Sequence, residues 1–206
     1  MDGSASIDYL INNNIEGVLV ECGVDNGNFE EIWIKRLQSL NQERDIYLYD
    51  TFTGLTQPGE FDYTSTSATI FKMSKDEVYN YWQKETLKGG WCSTPLNVVQ
   101  TRLGKLNYPT DKLHYIVGDV METLKVNENL PDKIALLRLD TDWYESSKFE
   151  LEIFYDKVVK GGLIIFDDYY HWDGQRRAVD EFFNSRNLSY TFTKIDNGKT
   201  AAIIKT

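Results

Sequence analysis

The chain has 206 residues, and 22 Lys and Arg against 32 Asp and Glu give a formal net charge of −10. Proteins that bind the phosphate backbone usually present a basic face, so this balance argues against nucleic acid as a partner. Two cysteines are too few for a disulfide scaffold, and the sequence shows neither a signal peptide nor an apolar run of about 20 residues. We therefore expect one cytoplasmic domain over 1–206, without a membrane partner.

Apolar runs typical of strands alternate with amphipathic stretches typical of helices along most of the chain. The first three elements form a βαβ pattern of a strand at 17–22, a helix at 29–40 and a strand at 46–49. The alternation resumes with strands at 113–117, 134–139 and 163–166 and helices at about 146–159 and 175–186. Such alternation predicts an α/β fold with a doubly wound, mostly parallel, Rossmann-like sheet.

The C-terminal part of the sequence has a different pattern. Two strand-like runs at 190–195 and 201–205 are joined by Asp196-Asn197-Gly198, a sequence typical of a tight turn. These runs predict an antiparallel hairpin that completes a seven-stranded sheet.

The segment 51–97 is the least regular part of the chain. It contains Pro58, Gly59, a Ser/Thr-rich stretch at 64–69 and Gly89-Gly90, yet it also holds several large aromatic residues. A plain linker would not need those aromatic side chains. We predict a lid or substrate loop; the alternative is a helix and loop that only cover an edge of the sheet.

Two glycines, Gly23 and Gly27, lie in the turn that follows the first predicted strand. Glycine lets the backbone approach a ligand closely, and the helix N-terminus adds free N–H groups. The spacing is not the dinucleotide fingerprint, but Asp50 ends the second strand, where an acidic residue commonly bonds ribose hydroxyls. The combination predicts a nucleoside-bearing cofactor.

Four aspartates follow two later strands directly: Asp140 and Asp142 come after 134–139, and Asp167 and Asp168 come after 163–166. Carboxylates gathered at one sheet edge repel one another unless a cation offsets their charge. Oxygen ligands without Cys and with few His favour Mg²⁺ or Mn²⁺. In the alternative, Asp167 and Asp168 cap a turn and Asp142 is solvated.

Two other classes of protein, one enzymatic and one non-catalytic, contain similar motifs. Asp140-Thr141-Asp142 resembles the D-x-D of metal-dependent glycosyltransferases, and a non-catalytic nucleoside-binding module would also keep the glycine turn. Gly198-Lys199-Thr200 looks like the end of a phosphate-binding loop, but position 193 is Thr rather than the required Gly. We therefore exclude nucleoside triphosphate hydrolysis and keep the first two classes as alternatives.

Several longer motifs resemble one known family, the macrocin O-methyltransferase type of class I S-adenosylmethionine-dependent methyltransferases. The similarity extends over most of the chain from Gly17 on. The matching segments are 20–27, 49–55, 117–124, 137–146, 161–169, His171-Trp172 and 177–182.

The resemblance implies a set of site residues. Glu21, Gly23 and Gly27 would line the methionine part of S-adenosylmethionine, Asp50 and Thr51 the ribose, and Asp119 the adenine amino group. Asp140, also near the cofactor, would hold Mg²⁺ (or Mn²⁺) together with Asp167 and Asp168, and Asp142 would lie outside the metal ligands.

The resemblance also implies a reaction, which is transfer of the sulfonium methyl group to a hydroxyl of a sugar-containing small molecule. Asp140 is the first candidate for the base and His171 the second. Trp143 occupies the position of the lysine base of catechol-type relatives, which disfavours a catechol acceptor. Whether the protein forms a homodimer is left open.

Overall fold

The computed structural model describes residues 3–66, 68, 71–195 and 198–206. The α-helices formed by these residues are α1 Gly3–Asn12, α2 Asn28–Ser39, α3 Lys75–Thr86, α4 Leu96–Gly104, α5 Val120–Thr123, α6 Tyr144–Phe154 and α7 Asp173–Ser185. The seven strands are β1 Val18–Cys22, β2 Ile46–Asp50, β3 Leu113–Val117, β4 Ile134–Leu139, β5 Val158–Phe166, β6 Thr193–Ile195 and β7 Thr200–Ile204. Within these ranges, no helix is both long enough and apolar enough to cross a membrane.

The strands form one sheet in the order β3-β2-β1-β4-β5-β7-β6. The first five of these are parallel, and β7 pairs antiparallel with both β5 and β6. The predicted α/β fold with a seven-stranded, mostly parallel sheet is confirmed. Because β1 to β5 run in one direction, their carboxyl ends meet at a single edge, where open sheets of this kind bind ligands.

Helices cover both faces of the sheet. Side chains of β1, β4 and β5 alternate between a cluster with α1, α2 and α4 and a second cluster with α5, α6 and α7. Leu136 belongs to the first cluster and Leu137 to the second, so β4 is buried on both sides. This double burial explains why the central strands are almost continuously apolar.

The boundary between α6 and β5 differs from the prediction. We predicted a helix to about residue 159, but α6 ends at Phe154, and β5 begins at Val158, which pairs with Ile134. Tyr155 and Val158 continue the apolar spacing of the helix, so periodicity alone could not locate its end. The helix α1 was not predicted at all; its Ile7 and Leu10 are fully buried.

The predicted hairpin pairs β6 with β7, although β6 is shorter than the run at 190–195. In the predicted turn, Asp196 and Asn197 lie outside the described residues. Ser74 and Glu77 form a capping box that starts α3, within the segment 51–97.

The segment 51–97 is attached to the body of the domain at several points. The backbone N–H of Ser65 donates to the carbonyl of His171 over 2.7 Å, and the indole N–H of Trp143 donates to the carbonyl of Thr56 over 2.9 Å. Trp91 packs edge-on against Trp143 and Trp172, with ring centroids 5.8 and 6.0 Å away. Described residues of this segment therefore pack against the body of the domain.

Gly23 lies where the end of β1 closely approaches the end of β4. Its φ is +88°, and a Cβ there would overlap the carbonyl of Asp140. We expect Gly23→Ala to lower the free energy of unfolding by at least about 2 kcal/mol, since it adds backbone strain to the overlap. Urea denaturation measures the change. Gly104→Ala is the control, because nothing lies within 4 Å of that Cβ and alanine favours the helix; equal effects of the two variants would contradict the prediction.

Candidate active site

A cavity of about 230 Å³ lies at the carboxyl edge of the parallel strands. Seven of the predicted site residues contribute to its wall: Gly23, Asp50, Thr51, Asp119, Asp140, Asp167 and Asp168. Further lining comes from the turn after β4, the end of β5, the start of α6, the loops at 54–56 and Cys92, and Lys199. The cavity therefore brings together residues from both halves of the sheet.

Asp50 holds the glycine turn against the end of β2. One carboxylate oxygen accepts the N–H groups of Val24 and Asp25 over 2.7 and 3.0 Å, and the other accepts the N–H of Phe52 over 2.6 Å. Burial raises the pKa of Asp50, although these three bonds favour the charged form. The carboxylate therefore organises two backbone loops around the cavity.

Two further predicted residues of the cavity wall also shape local backbone. Asp119 caps α5, where its carboxylate accepts the N–H of Met121 over 2.9 Å. The hydroxyl of Thr51 donates to the carbonyl of Gly54 over 2.7 Å. Both side chains are thus positioned by bonds that use only part of their hydrogen-bonding capacity.

Glu21 and Gly27 do not line the cavity. Glu21 is buried within the sheet, where it forms an ion pair with Arg138 and contacts Glu30. Burial is the main reason that the pKa of Glu21 is raised and that of Glu30 rises to about 7. A Cβ on Gly27 would lie 3.1 Å from Val99, so this glycine permits α2 and α4 to pack. These two predicted cofactor residues therefore position the site instead of forming its wall.

Arg138 connects three strands beneath the cavity. Its guanidinium is 3% exposed and pairs with Glu21 on β1, with Asp140 over 2.8 Å and with Asp167 over 2.6 Å. Burial alone would lower the pKa of Arg138, but the three carboxylates outweigh this effect and raise the pKa above its usual value. The ring of Phe29 lies 3.7 Å below the guanidinium carbon. A single buried cation thus fixes the carboxylates of three strands.

Asp167 is held between two cations. Besides Arg138, it accepts from Lys199 over 2.5 Å, so both of its oxygens have a basic partner. Burial opposes its ionisation, yet Arg138 and Lys199 hold the pKa of Asp167 well below its usual range. The structure therefore gives Asp167, a predicted metal ligand, a different set of partners.

Three other carboxylates could hold a metal ion. Asp140, Asp142 and Asp168 each place one oxygen within 4.8 Å of the other two. Burial and the neighbouring carboxylates raise the pKa of Asp140 and Asp142 well above the usual range, Asp168 being the largest carboxylate influence on Asp142. Asp142 also has a φ of 67°, uncommon outside glycine. This group therefore contains Asp142, which we expected outside the metal ligands, and does not contain Asp167.

His171 is not among the residues that line the cavity. Its ring is 4% exposed and packs edge-on against Phe71 and Trp172, each with a centroid 4.7 Å away. Burial lowers the pKa of His171. The side chain of this predicted second base therefore packs among aromatic rings outside the cavity wall.

Glu150 is a buried acid behind the cavity wall that the sequence analysis did not identify. Its carboxylate accepts the hydroxyl of Thr141 over 2.9 Å, and it adjoins Cys22 and Asp119. Burial is the main reason that the pKa of Glu150 rises to about 8.

Arg138 and Lys199 were also missed as site residues. The position of Arg138 inside an apolar strand could have indicated a site residue, because a buried charged residue needs partners on neighbouring strands. Lys199 reaches the site only through the hairpin, and its local sequence contains no such signal.

Comparison with known proteins places this geometry in context. The family model for macrocin-O-methyltransferase (TylF) matches residues 3–202. Demethyldecarbamoylnovobiocin O-methyltransferase of Streptomyces niveus is 26% identical over 198 residues. A tetracenomycin-C rhamnosyl 4'-O-methyltransferase of Streptomyces olivaceus is 24% identical over 192 residues. Each alignment covers 92% of this chain and 67% of the relative.

Two solved structures share the fold. The O-methyltransferase NovP superposes with a TM-score of 0.78 at 23% identity, covering 99% of this chain and 78% of NovP. The calicheamicin methyltransferase CalS11 superposes with a TM-score of 0.66 at 23% identity, covering 98% of this chain and 77% of CalS11.

Glu150 predicts a specific dependence of stability on pH. With a pKa of about 8 in the folded protein and a usual value of 4.5, the native state binds more protons between those values, so stability falls as pH rises through that window. Glu150→Gln removes this titration. We expect the variant to gain about 3 kcal/mol relative to the parent between pH 5.5 and pH 8, since one pKa unit corresponds to about 1.4 kcal/mol.

Urea denaturation at a series of pH values measures this difference. Glu152→Gln, at an exposed position of the same helix, should show no such trend. A difference between Glu150→Gln and the parent that stays constant across the window would contradict the assignment.

Proposed function

Because the chain belongs to the macrocin-O-methyltransferase family and is an S-adenosylmethionine-dependent O-methyltransferase, we propose that it methylates a hydroxyl of a sugar or of a glycosylated small molecule. The names of the two relatives from Streptomyces, novobiocin and rhamnosyl-tetracenomycin methyltransferases, support this substrate class. The family match sets aside the glycosyltransferase and the non-catalytic alternatives. One observation carries the proposal: the wall of a single cavity combines residues suited to bind a nucleoside with a group of three carboxylates.

The half of the cavity nearest β1 to β3 would hold the cofactor. Gly23 lines this half of the cavity, and Asp50 and Asp119 retain free lone pairs at two separate loops. These acceptors suit ribose hydroxyls and the adenine amino group respectively. When bound, S-adenosylmethionine supplies an electrophilic methyl group on a sulfonium.

The opposite half of the cavity fits a divalent cation. Among the described residues, the basic side chains that form salt bridges with the four strand-end aspartates are those of Arg138 and Lys199. Asp142 and Asp168 also contact each other, and two carboxylates in contact need a shared proton or a cation.

A hard ion such as Mg²⁺ or Mn²⁺ suits an all-carboxylate donor set. Asp140, Asp142 and Asp168 would hold it, instead of the predicted set with Asp167. The ion would supply binding of neighbouring acceptor hydroxyls and lower the pKa of the reacting one.

Among the three carboxylates, Asp142 is best placed to receive the acceptor's proton. Arg138 bonds Asp140, and Lys199 bonds Asp168. In the part of the chain that the structure describes, Asp142 forms no salt bridge, so no basic residue competes for its second oxygen. We accordingly favour Asp142 over both Asp140 and His171 as the base.

The segment 51–97 would bind the acceptor and exclude water. Leu55, Thr56 and Cys92 contribute to the cavity wall, and Trp91 anchors the loop that carries Cys92. This arrangement supports the predicted role as a lid or substrate loop, because the same segment both lines the cavity and packs on the body of the domain.

Methyl transfer itself tests the proposed function. Labelled S-adenosylmethionine is supplied with a panel of glycosides and their matched aglycones, with Mg²⁺ or after EDTA treatment. We expect product from glycosides only, and its loss with EDTA. Equal methylation of aglycones would contradict the substrate class, whereas activity at the full rate after EDTA treatment would contradict the metal requirement alone.

Asp50→Asn tests the cofactor half of the cavity. The substitution removes one charge at nearly constant volume, so it weakens the three bonds that hold the glycine turn as well as the bonds to a ribose. We expect S-adenosylhomocysteine to bind at least tenfold more weakly, as measured by calorimetry. Asp111→Asn, exposed and outside the cavity, is the control, and parent-like affinity in Asp50→Asn would refute the assignment.

Asp142→Asn tests the identity of the metal ligands. If Asp142 is a ligand, we expect Mn²⁺ to bind at least tenfold more weakly, because a charged oxygen donor is replaced by a neutral one. Calorimetric titration gives the affinity, and Asp25→Asn is the matched control, since Asp25 lines the cavity outside the group of three. Unchanged affinity in Asp142→Asn would return Asp167 to the ligand set.

A further inference from the structure

Lys199 occupies an unusual place for a lysine of a terminal hairpin. It lies just before β7, and its ammonium reaches back to Asp167 over 2.5 Å and to Asp168 over 3.0 Å. Asp168 is also one of the three carboxylates that surround the candidate metal position. The ammonium of Lys199 and the proposed metal ion would therefore both bind the carboxylate of Asp168.

We propose that Lys199 is an exchangeable internal cation that neutralises Asp168 in the metal-free protein and weakens divalent-cation binding at the site. The inference rests on the proposed function, since it concerns the proposed metal site. Lys199 is a positioning residue in this role, because it acts through the aspartates and not on the acceptor.

The two cations of the site differ in their freedom to move. The Arg138 side chain is 4% exposed and bonds three carboxylates, so it cannot leave without exposing buried charges. The Lys199 side chain is 34% exposed and joins its backbone through a flexible four-carbon chain. Lys199 can therefore release Asp168 while it stays bonded to Asp167.

The contacts of Asp168 support this exchange. Its backbone N–H donates to the side chain of Gln175 over 2.9 Å, which holds the loop in place independently of Lys199. Gln175 is fully buried, and its amide also donates to the carbonyl of Leu139 over 3.2 Å. The Asp168 carboxylate can thus change its cationic partner without movement of its backbone.

The direction in which removal of the Lys199 charge changes stability and metal affinity can be predicted. Without Lys199, the aspartates lose one neutralising charge, so the metal-free protein becomes less stable and a divalent cation binds more tightly. In Lys199→Gln we expect Mn²⁺ to bind at least tenfold more tightly by calorimetry and the melting temperature in EDTA to fall. Lys199→Arg keeps the charge and should restore affinity close to that of the parent.

Lys194→Gln is the matched control. Lys194 lies on β6 of the same hairpin and is exposed, with its ammonium 4.4 Å from the ring centroid of Tyr170. Its substitution removes the same charge from the protein as a whole, so it should leave Mn²⁺ affinity unchanged. A purely structural role for Lys199 would lower stability without tightening metal binding.

A second measurement uses the parent protein and needs no variant. Acetylation of lysines, quantified by mass spectrometry, should become several-fold faster at Lys199 when Mn²⁺ is added, because the contact with Asp168 is released. Lys194 should react at the same rate with and without the metal. An unchanged rate at Lys199 in metal-loaded protein would overturn the inference.

The outcomes separate this inference from the proposed function. If the parent binds Mn²⁺ and Lys199→Gln binds it no more tightly, the inference fails alone. If only Lys199→Gln binds Mn²⁺, the proposed metal requirement fails and the inference stands. If neither binds the ion, both fail.

Discussion

The buried guanidinium of Arg138 is the interaction on which the rest of the site depends. It joins Glu21 on β1 to Asp140 and Asp167 at the ends of β4 and β5, so it neutralises acids from three neighbouring strands. Without it, the buried carboxylate of Glu21 would lose its basic partner and Asp167 would lose one of two, and a buried charge without a partner is strongly destabilising. Arg138 and Lys199 bond both oxygens of Asp167, whereas Asp140, Asp142 and Asp168 each place an oxygen within 4.8 Å of the other two. The partners of Asp167 thus follow from the placement of two cations.

Close backbone approach is the second constraint at the cavity. A Cβ on Gly23 would overlap the backbone of Asp140, so the glycine turn packs directly against the end of β4. Asp50 bonds the same turn from the other side through the N–H groups of Val24 and Asp25. The glycine turn and the ends of β2 and β4 therefore form one continuous part of the cavity wall.

The segment 51–97 adds the part of the cavity that the sheet cannot provide. Trp91, Trp143 and Trp172 pack edge-on in a triangle that joins this segment to the loops after β4 and β5. The loop with Leu55 is bonded to that with Trp91 through an N–H to carbonyl bond of 2.8 Å. The aromatic cluster therefore joins the segment that carries Leu55 and Cys92 of the cavity wall to the loops that carry the strand-end carboxylates.

The sequence by itself determined the fold class and the edge of the sheet where the cavity lies, because apolar runs alternate with amphipathic helices and aspartates follow the strands directly. It also identified Gly23, Asp50, Thr51, Asp119 and Asp140, all of which line the cavity. Only the tertiary structure decided that Glu21, Gly27 and His171 lie outside the cavity wall and that Asp142 replaces Asp167 in the carboxylate group. The physical reason is that these roles depend on partners distant in sequence. Arg138 and Lys199 lie 29 and 32 residues from Asp167, and no local pattern states which carboxylate a cation neutralises once the strands are side by side.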